Sequence, residues 1–104
     1  MSPYKVDFDA LPWMQGRPGV RFKVHAEGAR RLRLVEFATS EGDPGWCEAG
    51  HVGYVLSGAL TIEFSDQEVS FVAGEGLFIP SGASAAHRGT LIEPGTRLLL
   101  VEDN

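Results

Sequence analysis

The chain has 104 residues, which suits a single domain spanning residues 1–104. Fourteen acidic against nine basic residues give a net charge of −5, so the surface is unsuited to the phosphates of nucleic acid. The sequence contains no apolar run long enough to span a membrane, and its one cysteine cannot form an internal disulfide, so a cytoplasmic location is expected.

Residues 1–19 are predicted to form an irregular N-terminal segment. Proline and glycine interrupt it repeatedly, and both residues break regular structure. Phe8, Leu11 and Trp13 lie between these interruptions and would be costly to leave in water. The segment is therefore expected to lie across the core or against a partner subunit.

From residue 20 onward, apolar and polar residues alternate with a period of two, which indicates β-strands. In residues 31–37, Leu32 and Leu34 are expected on one face of a strand and Arg31 and Arg33 on the other. About seven or eight short strands separated by glycine-containing turns are typical of an antiparallel sandwich or barrel. The clearest predicted strands are residues 20–25, 31–37, 51–56, 59–64, 68–73, 77–80 and 96–102.

The glycines and the proline that separate these strands resemble the motifs of the cupin superfamily. Gly58 in "YVLSGAL" matches the last glycine of the family's first motif. In the second motif, Gly74, Pro80 and Gly82 in "GEGLFIPSG" fall at the family's spacings. The resemblance covers about residues 30–102 and is closest to small single-domain bacterial cupins. It implies an all-β fold, the double-stranded β-helix or jelly-roll cupin barrel.

The resemblance also implies a metal site, but with a variant set of ligands. In the first motif, the family's second histidine falls on Cys47 and its glutamate falls on His51. In the second motif, the family's histidine falls on Ala85, and His87 follows two residues later. A compact turn after Gly82 would bring the His87 imidazole to the usual place.

The spacing of the candidate ligands leaves two sets open. On a straight strand the Cα atoms of Cys47 and His51 would be roughly 13 Å apart, so a shared metal requires a bend, which Gly50 permits. The same bend leaves undecided whether Cys47 or Glu48 points inward. Glu48 with the two histidines would suit Fe(II) and oxygen chemistry, whereas Cys47 with them would favour Zn²⁺ or another late divalent metal.

Two functions follow from these observations. The first is a metal-dependent oxygenase or isomerase that acts on a small molecule, and the alternative is a non-catalytic binding or sensory cupin without a functional metal. Arg21, Lys23 and Arg33 lie on strands with an apolar opposite face, and one or more is expected to reach the barrel mouth to bind a carboxylate. Tyr54 is a candidate wall of the ligand pocket. The resemblance and the apolar N-terminal segment together predict a homodimer.

Overall fold

The computed structural model describes residues 3–42 and 45–103. Within these residues, two 3₁₀ turns (Phe8–Ala10 and Ala83–Ala85) accompany nine strands. The strands are β1 Met14–Gln15, β2 Val20–Glu27, β3 Arg30–Phe37, β4 His51–Ser57, β5 Ala59–Phe64, β6 Glu68–Val72, β7 Gly76–Ile79, β8 His87–Ile92 and β9 Arg97–Asp103.

The strands form two antiparallel sheets that face each other around one core, as the all-β prediction required. The larger sheet has the order β1-β2-β3-β9-β4-β7, and the smaller has the order β6-β5-β8. The buried apolar core is built from Val35, Val55, Leu60, Ile62, Leu77, Ile79, Ile92, Leu98 and Leu100. Among the described residues, no helix is long and apolar enough to cross a membrane.

Each of the seven predicted strands is present, with ends within two residues of the prediction. The predicted turn between β4 and β5 places Gly58 at a φ of 80°, where a side chain would also strike Thr96. Two strands were not predicted: the short β1 at the sheet edge, and β8. Residues 27–30 form the tight connection of the β2–β3 hairpin, in which Glu27 pairs with Arg30.

The predicted division of β3 is confirmed, with Leu32 and Leu34 on one face and Arg31 and Arg33 on the other, and the inner face is the one that carries the arginines. Arg33 and Val35 point to the barrel interior, and Val35 is only 3% exposed. Leu32 and Leu34 occupy the alternate positions, so they lie on the outer face of the large sheet. Because both faces of this strand carry apolar side chains, alternation alone could not identify the inner one.

The N-terminal segment lies against the outer face of the large sheet. The Trp13 ring packs under the Arg21 guanidinium at 3.9 Å and beside the Lys23 ammonium at 4.9 Å. Lys23 also donates a hydrogen bond of 2.7 Å to the Phe8 carbonyl oxygen. The segment therefore covers β2 of its own chain.

Candidate metal centre

The chain brings Cys47 and His87 together through a backbone pairing. The amide of Cys47 donates to the carbonyl oxygen of His87 at 2.7 Å, and the amide of His87 donates to that of Cys47 at 2.9 Å. Cys47 precedes β4, and His87 is the first residue of β8. This contact between a loop and a strand of the small sheet fixes two candidate ligands side by side.

Gly50, between Cys47 and His51, is closely packed against the end of β7. Its amide donates to Ser81 Oγ at 3.0 Å, and a side chain on Gly50 would collide with Ser81 and with the backbone of Ile79. His51 follows as the first residue of β4. The ligand atoms of Cys47, His51 and His87 all lie within 4.8 Å of one another, as a group that could hold a metal ion.

His87 presents one ring nitrogen towards this group. The compact turn after Gly82 that the sequence left open is present as the 3₁₀ turn Ala83–Ala85, directly before His87. His87 is only 3% exposed, and its Nδ1 donates to the Ala85 carbonyl oxygen at 2.9 Å. Because a carbonyl only accepts, Nδ1 carries a proton, and Nε2 is the ring nitrogen left for another partner. Among the described residues, Nε2 is the one buried side-chain nitrogen or oxygen without a hydrogen-bond partner.

His51 is oriented by Glu102 on β9. Its Nδ1 lies 2.9 Å from Glu102 Oε2. An ionised carboxylate only accepts, so Nδ1 donates, and Nε2 is the ring nitrogen left to bind a metal. A carboxylate or carbonyl behind each imidazole is the arrangement usual for metal-binding histidines, because it fixes the ring and its tautomer.

Glu102 stays ionised because arginines surround it. Arg33 donates through Nε and Nη2, each at 2.8 Å, and Arg31 donates through Nε at 3.1 Å. Burial raises the pKa of Glu102, but hydrogen bonds and charge from His51 and Arg33 outweigh it and lower the pKa to about 2. Glu102 is thus a fixed negative charge at neutral pH.

The three side chains fit a divalent metal such as zinc. Zinc bonds of about 2.0–2.3 Å in tetrahedral geometry place ligand atoms about 3.5 Å apart. The ligand atoms of the three side chains lie within 4.8 Å of one another. This distance is little more than an ångström longer than the spacing in a zinc site, and side-chain rotation can close the difference. Two imidazole nitrogens and a thiol form a donor set suited to Zn²⁺ and other late metals, with room for a further ligand.

The candidate ligands line a cavity of about 390 Å³ in the barrel interior. Its wall is mainly apolar and includes Val35, Phe37, Leu60, Ile92, Leu98 and Leu100. Trp46 lies at the wall next to Cys47 and is half exposed, with the Arg88 guanidinium 4.7 Å from its ring. The three candidate ligands therefore face a cavity of the size that holds small molecules.

The other predicted site residues lie elsewhere. Glu48 is exposed and contributes its backbone oxygen to the Gly82 amide at 2.9 Å, outside the ligand group. Arg21 pairs with Glu36 on the outer face, and Lys23 is held by Phe8 and Trp13. Tyr54 is 47% exposed on the outer face of β4. Of the three cations considered, Arg33 is the one that lines the cavity.

Sequence reasoning missed Glu102, although a signal was present. In "RLLLVED", Glu102 falls at the same alternate positions as Leu98 and Leu100, which face the core. A carboxylate on the buried face of a strand requires partners, and Arg33 on the neighbouring strand supplies them. The three consecutive leucines before it hide the alternation that would mark the inner face.

Solved structures share this fold. A cupin-2 domain containing protein from Shewanella frigidimarina is 28% identical over 80% of this chain and 79% of that one, with a TM-score of 0.65. KdgF from Halomonas sp. is 21% identical over 91% and 89%, with a TM-score of 0.75. The polyketide cyclase RemF from Streptomyces resistomycificus is 20% identical over 95% and 78%, with a TM-score of 0.77.

No family profile and no curated protein matches the sequence. The fold and the side-chain group define a β-barrel protein with a candidate metal centre at the wall of an internal cavity. Its fold is that of the small bacterial cupins, as the sequence resemblance predicted.

Proposed function

We propose that the protein is a metal-dependent enzyme that binds one divalent ion through Cys47, His51 and His87 and acts on a small molecule in the cavity. The observation that supports this most strongly is the buried, unpartnered Nε2 of His87, which faces a thiol and a second imidazole. Leaving such a nitrogen unpaired costs about 1–3 kcal/mol, and a metal bond removes that cost.

The donor set favours non-redox chemistry of the isomerase type over oxygenation. The carboxylate of Glu48 that an iron centre would use is outside the group, whereas the softer Cys47 thiol is inside it. A bound zinc ion supplies a Lewis acid that polarises a carbonyl or phosphoryl oxygen. The chain's own part is to hold His51 through Glu102, to hold His87 through Ala85, and to exclude water with the apolar wall.

The test is elemental analysis of purified protein after reconstitution with zinc. We expect about one zinc per chain in the wild type. Replacing His87 by alanine should weaken zinc binding by more than about 100-fold. Losing only the hydrogen-bond partner of a metal ligand already costs up to about 100-fold in affinity, and here the ligand itself is lost. His25→Ala is the matched control, because His25 lies on β2 beside Glu27, away from the group. A metal-free wild type, or equal metal in all three proteins, contradicts the metal site.

Turnover separates the enzyme from the non-catalytic alternative. Zinc-loaded wild type and His87→Ala are each incubated with a mixture of cell metabolites, which is then followed by mass spectrometry. Depletion of one compound and growth of another in the wild type alone supports an enzyme. A compound that is retained and released unchanged supports the binding or sensory function instead.

A further inference from the structure

A buried ion pair lies beside the ligand group. Arg33 and Glu102 form a two-pronged pair, with side chains only 19% and 5% exposed. Arg31 contacts the same carboxylate at 3.1 Å and is more exposed, so solvent screens part of its charge. One buried negative charge therefore faces two guanidinium groups.

Arg33 is the charged residue of the cavity wall that lies beside the candidate ligands, and the lining around it is largely apolar. Glu102 is not among the lining residues, although its carboxylate accepts hydrogen bonds from Arg33 Nε and Nη2. The N–H donors of a guanidinium match a carboxylate best, so the donors of Arg33 outside this pair favour an occupant that brings one.

Arg33 stands next to the candidate metal ligands. Its Nη2 and His51 Nδ1 both contact Glu102 Oε2, at 2.8 Å and 2.9 Å. The Nη1 end of the guanidinium is not part of the pair with Glu102. Arg33 is thus fixed beside His51 in an orientation that a second carboxylate can use without rearrangement.

We propose, resting on the metal site above, that the ligand is a small carboxylate with an apolar body. A divalent ion and a Cys47 thiolate together leave one positive charge, which one carboxylate neutralises. The carboxylate lies at the open side of the metal group beside Arg33, and its body packs against Val35, Ile92 and Leu98. The volume of about 390 Å³ is near the lower end of the range for ligand pockets, so the acid is small.

Titration calorimetry of the zinc-loaded protein with hexanoate, hexanamide and acetate tests this assignment. We expect hexanoate to bind at least about tenfold more tightly than its neutral isostere hexanamide. Acetate should be at least about tenfold weaker than hexanoate, because it lacks the apolar body. Zinc content is measured on the same samples.

Substitution of Arg33 separates its contribution from that of the metal. Arg33→Gln should reduce the hexanoate preference by about tenfold and leave hexanamide binding unchanged. Arg33→Lys keeps the positive charge and should keep most of the preference for hexanoate over hexanamide. It serves as the test of charge if Arg33→Gln proves unable to hold zinc. Arg31→Gln is the matched control: Arg31 touches Glu102 but does not line the cavity, so the preference should persist.

The outcomes distinguish the two proposals. Equal affinity for hexanoate and hexanamide in a protein that holds zinc overturns the carboxylate assignment and leaves the metal site standing. An acid preference that survives both Arg33 substitutions overturns the role of Arg33. A wild type that holds no zinc overturns the metal proposal, and the carboxylate assignment falls with it.

Discussion

Cys47 determines which chemistry the candidate centre supports. With Cys47 as a ligand, cobalt(II) substituted for zinc should give an intense near-ultraviolet sulfur-to-cobalt charge-transfer band. We expect Cys47→Ser to lose this band and to bind cobalt at least tenfold more weakly, since a hydroxyl is a poorer donor to late metals than a thiolate. The measurement is an absorption titration of metal-free protein with Co²⁺.

Glu48→Gln is the control for this residue, because Glu48 is the adjacent candidate ligand and lies exposed outside the group. The band and the affinity should be those of the wild type. If Glu48→Gln loses cobalt and Cys47→Ser keeps it, the carboxylate set is correct and iron chemistry returns as the better hypothesis.

At the scale of the single element, strand prediction succeeded where local signals agreed. β5 begins and ends where the sequence predicted, because Gly58 sets its start and alternation sets its inner face. β8 gave no such signal: "HRGTLI" combines arginine, glycine and threonine, and a register shift opposite Thr61 and Ile62 interrupts its alternation. Its strand conformation depends on pairing with β5, a contact between residues distant in sequence.

The candidate site could also be predicted only in part from local sequence signals. His51 and His87 could be selected because motif spacing places them near the family's ligand positions. The choice between Cys47 and Glu48 could not be made, because it depends on the backbone pairing of Cys47 with His87, forty residues later in the chain. The support of His51 by Glu102 depends on β9 lying beside β3 and β4, which no local pattern reveals.

Three strands of the large sheet are joined on their outer face by Glu36 on β3. It pairs with Arg21 on β2 and with Arg97 on β9, each directly opposite in the strand register. The hydrogen bond from Arg21 lowers the pKa of Glu36 below its ordinary 4.5; burial opposes this, and Arg97 lowers the pKa further. The pairing therefore stabilises the fold above pH 4.5, and its contribution is lost as pH falls through the lowered pKa.

We expect Glu36→Gln to reduce the free energy of unfolding by about 1 kcal/mol at pH 7 and by less at pH 3, below the ordinary pKa of a glutamate. Urea denaturation with a chelator present measures this at both pH values. Glu27→Gln serves as the control, since the Glu27 side chain is 78% exposed and its loss should cost less than about 0.5 kcal/mol. An equal loss at pH 7 and pH 3 would show that packing, not charge, explains the effect.

At the scale of the whole molecule, the large sheet carries an apolar outer face. Val52 has Phe78 opposite it on β7 and Val101 opposite it on β9, and all three are exposed, Phe78 by 84%. Tyr54 and Leu99 are paired next to them, so the patch is continuous. The N-terminal segment covers β2 instead, so this outer apolar face is the better candidate for the predicted dimer interface.

A second copy of the chain packed symmetrically on this face would bury it. A stable interface covers about 800 Å² per partner, about an eighth of the 6421 Å² exposed by this chain. We expect the wild type to be a dimer by light scattering at tens of micromolar and Phe78→Lys to be a monomer, because two-fold symmetry places the buried lysine in the interface twice. Leu91→Lys, which changes a 65% exposed apolar residue on the small sheet, should remain a dimer. A monomeric wild type would show that a second copy of the chain does not cover this face. If Phe78→Lys and Leu91→Lys are both monomers, the interface is not specific to this face.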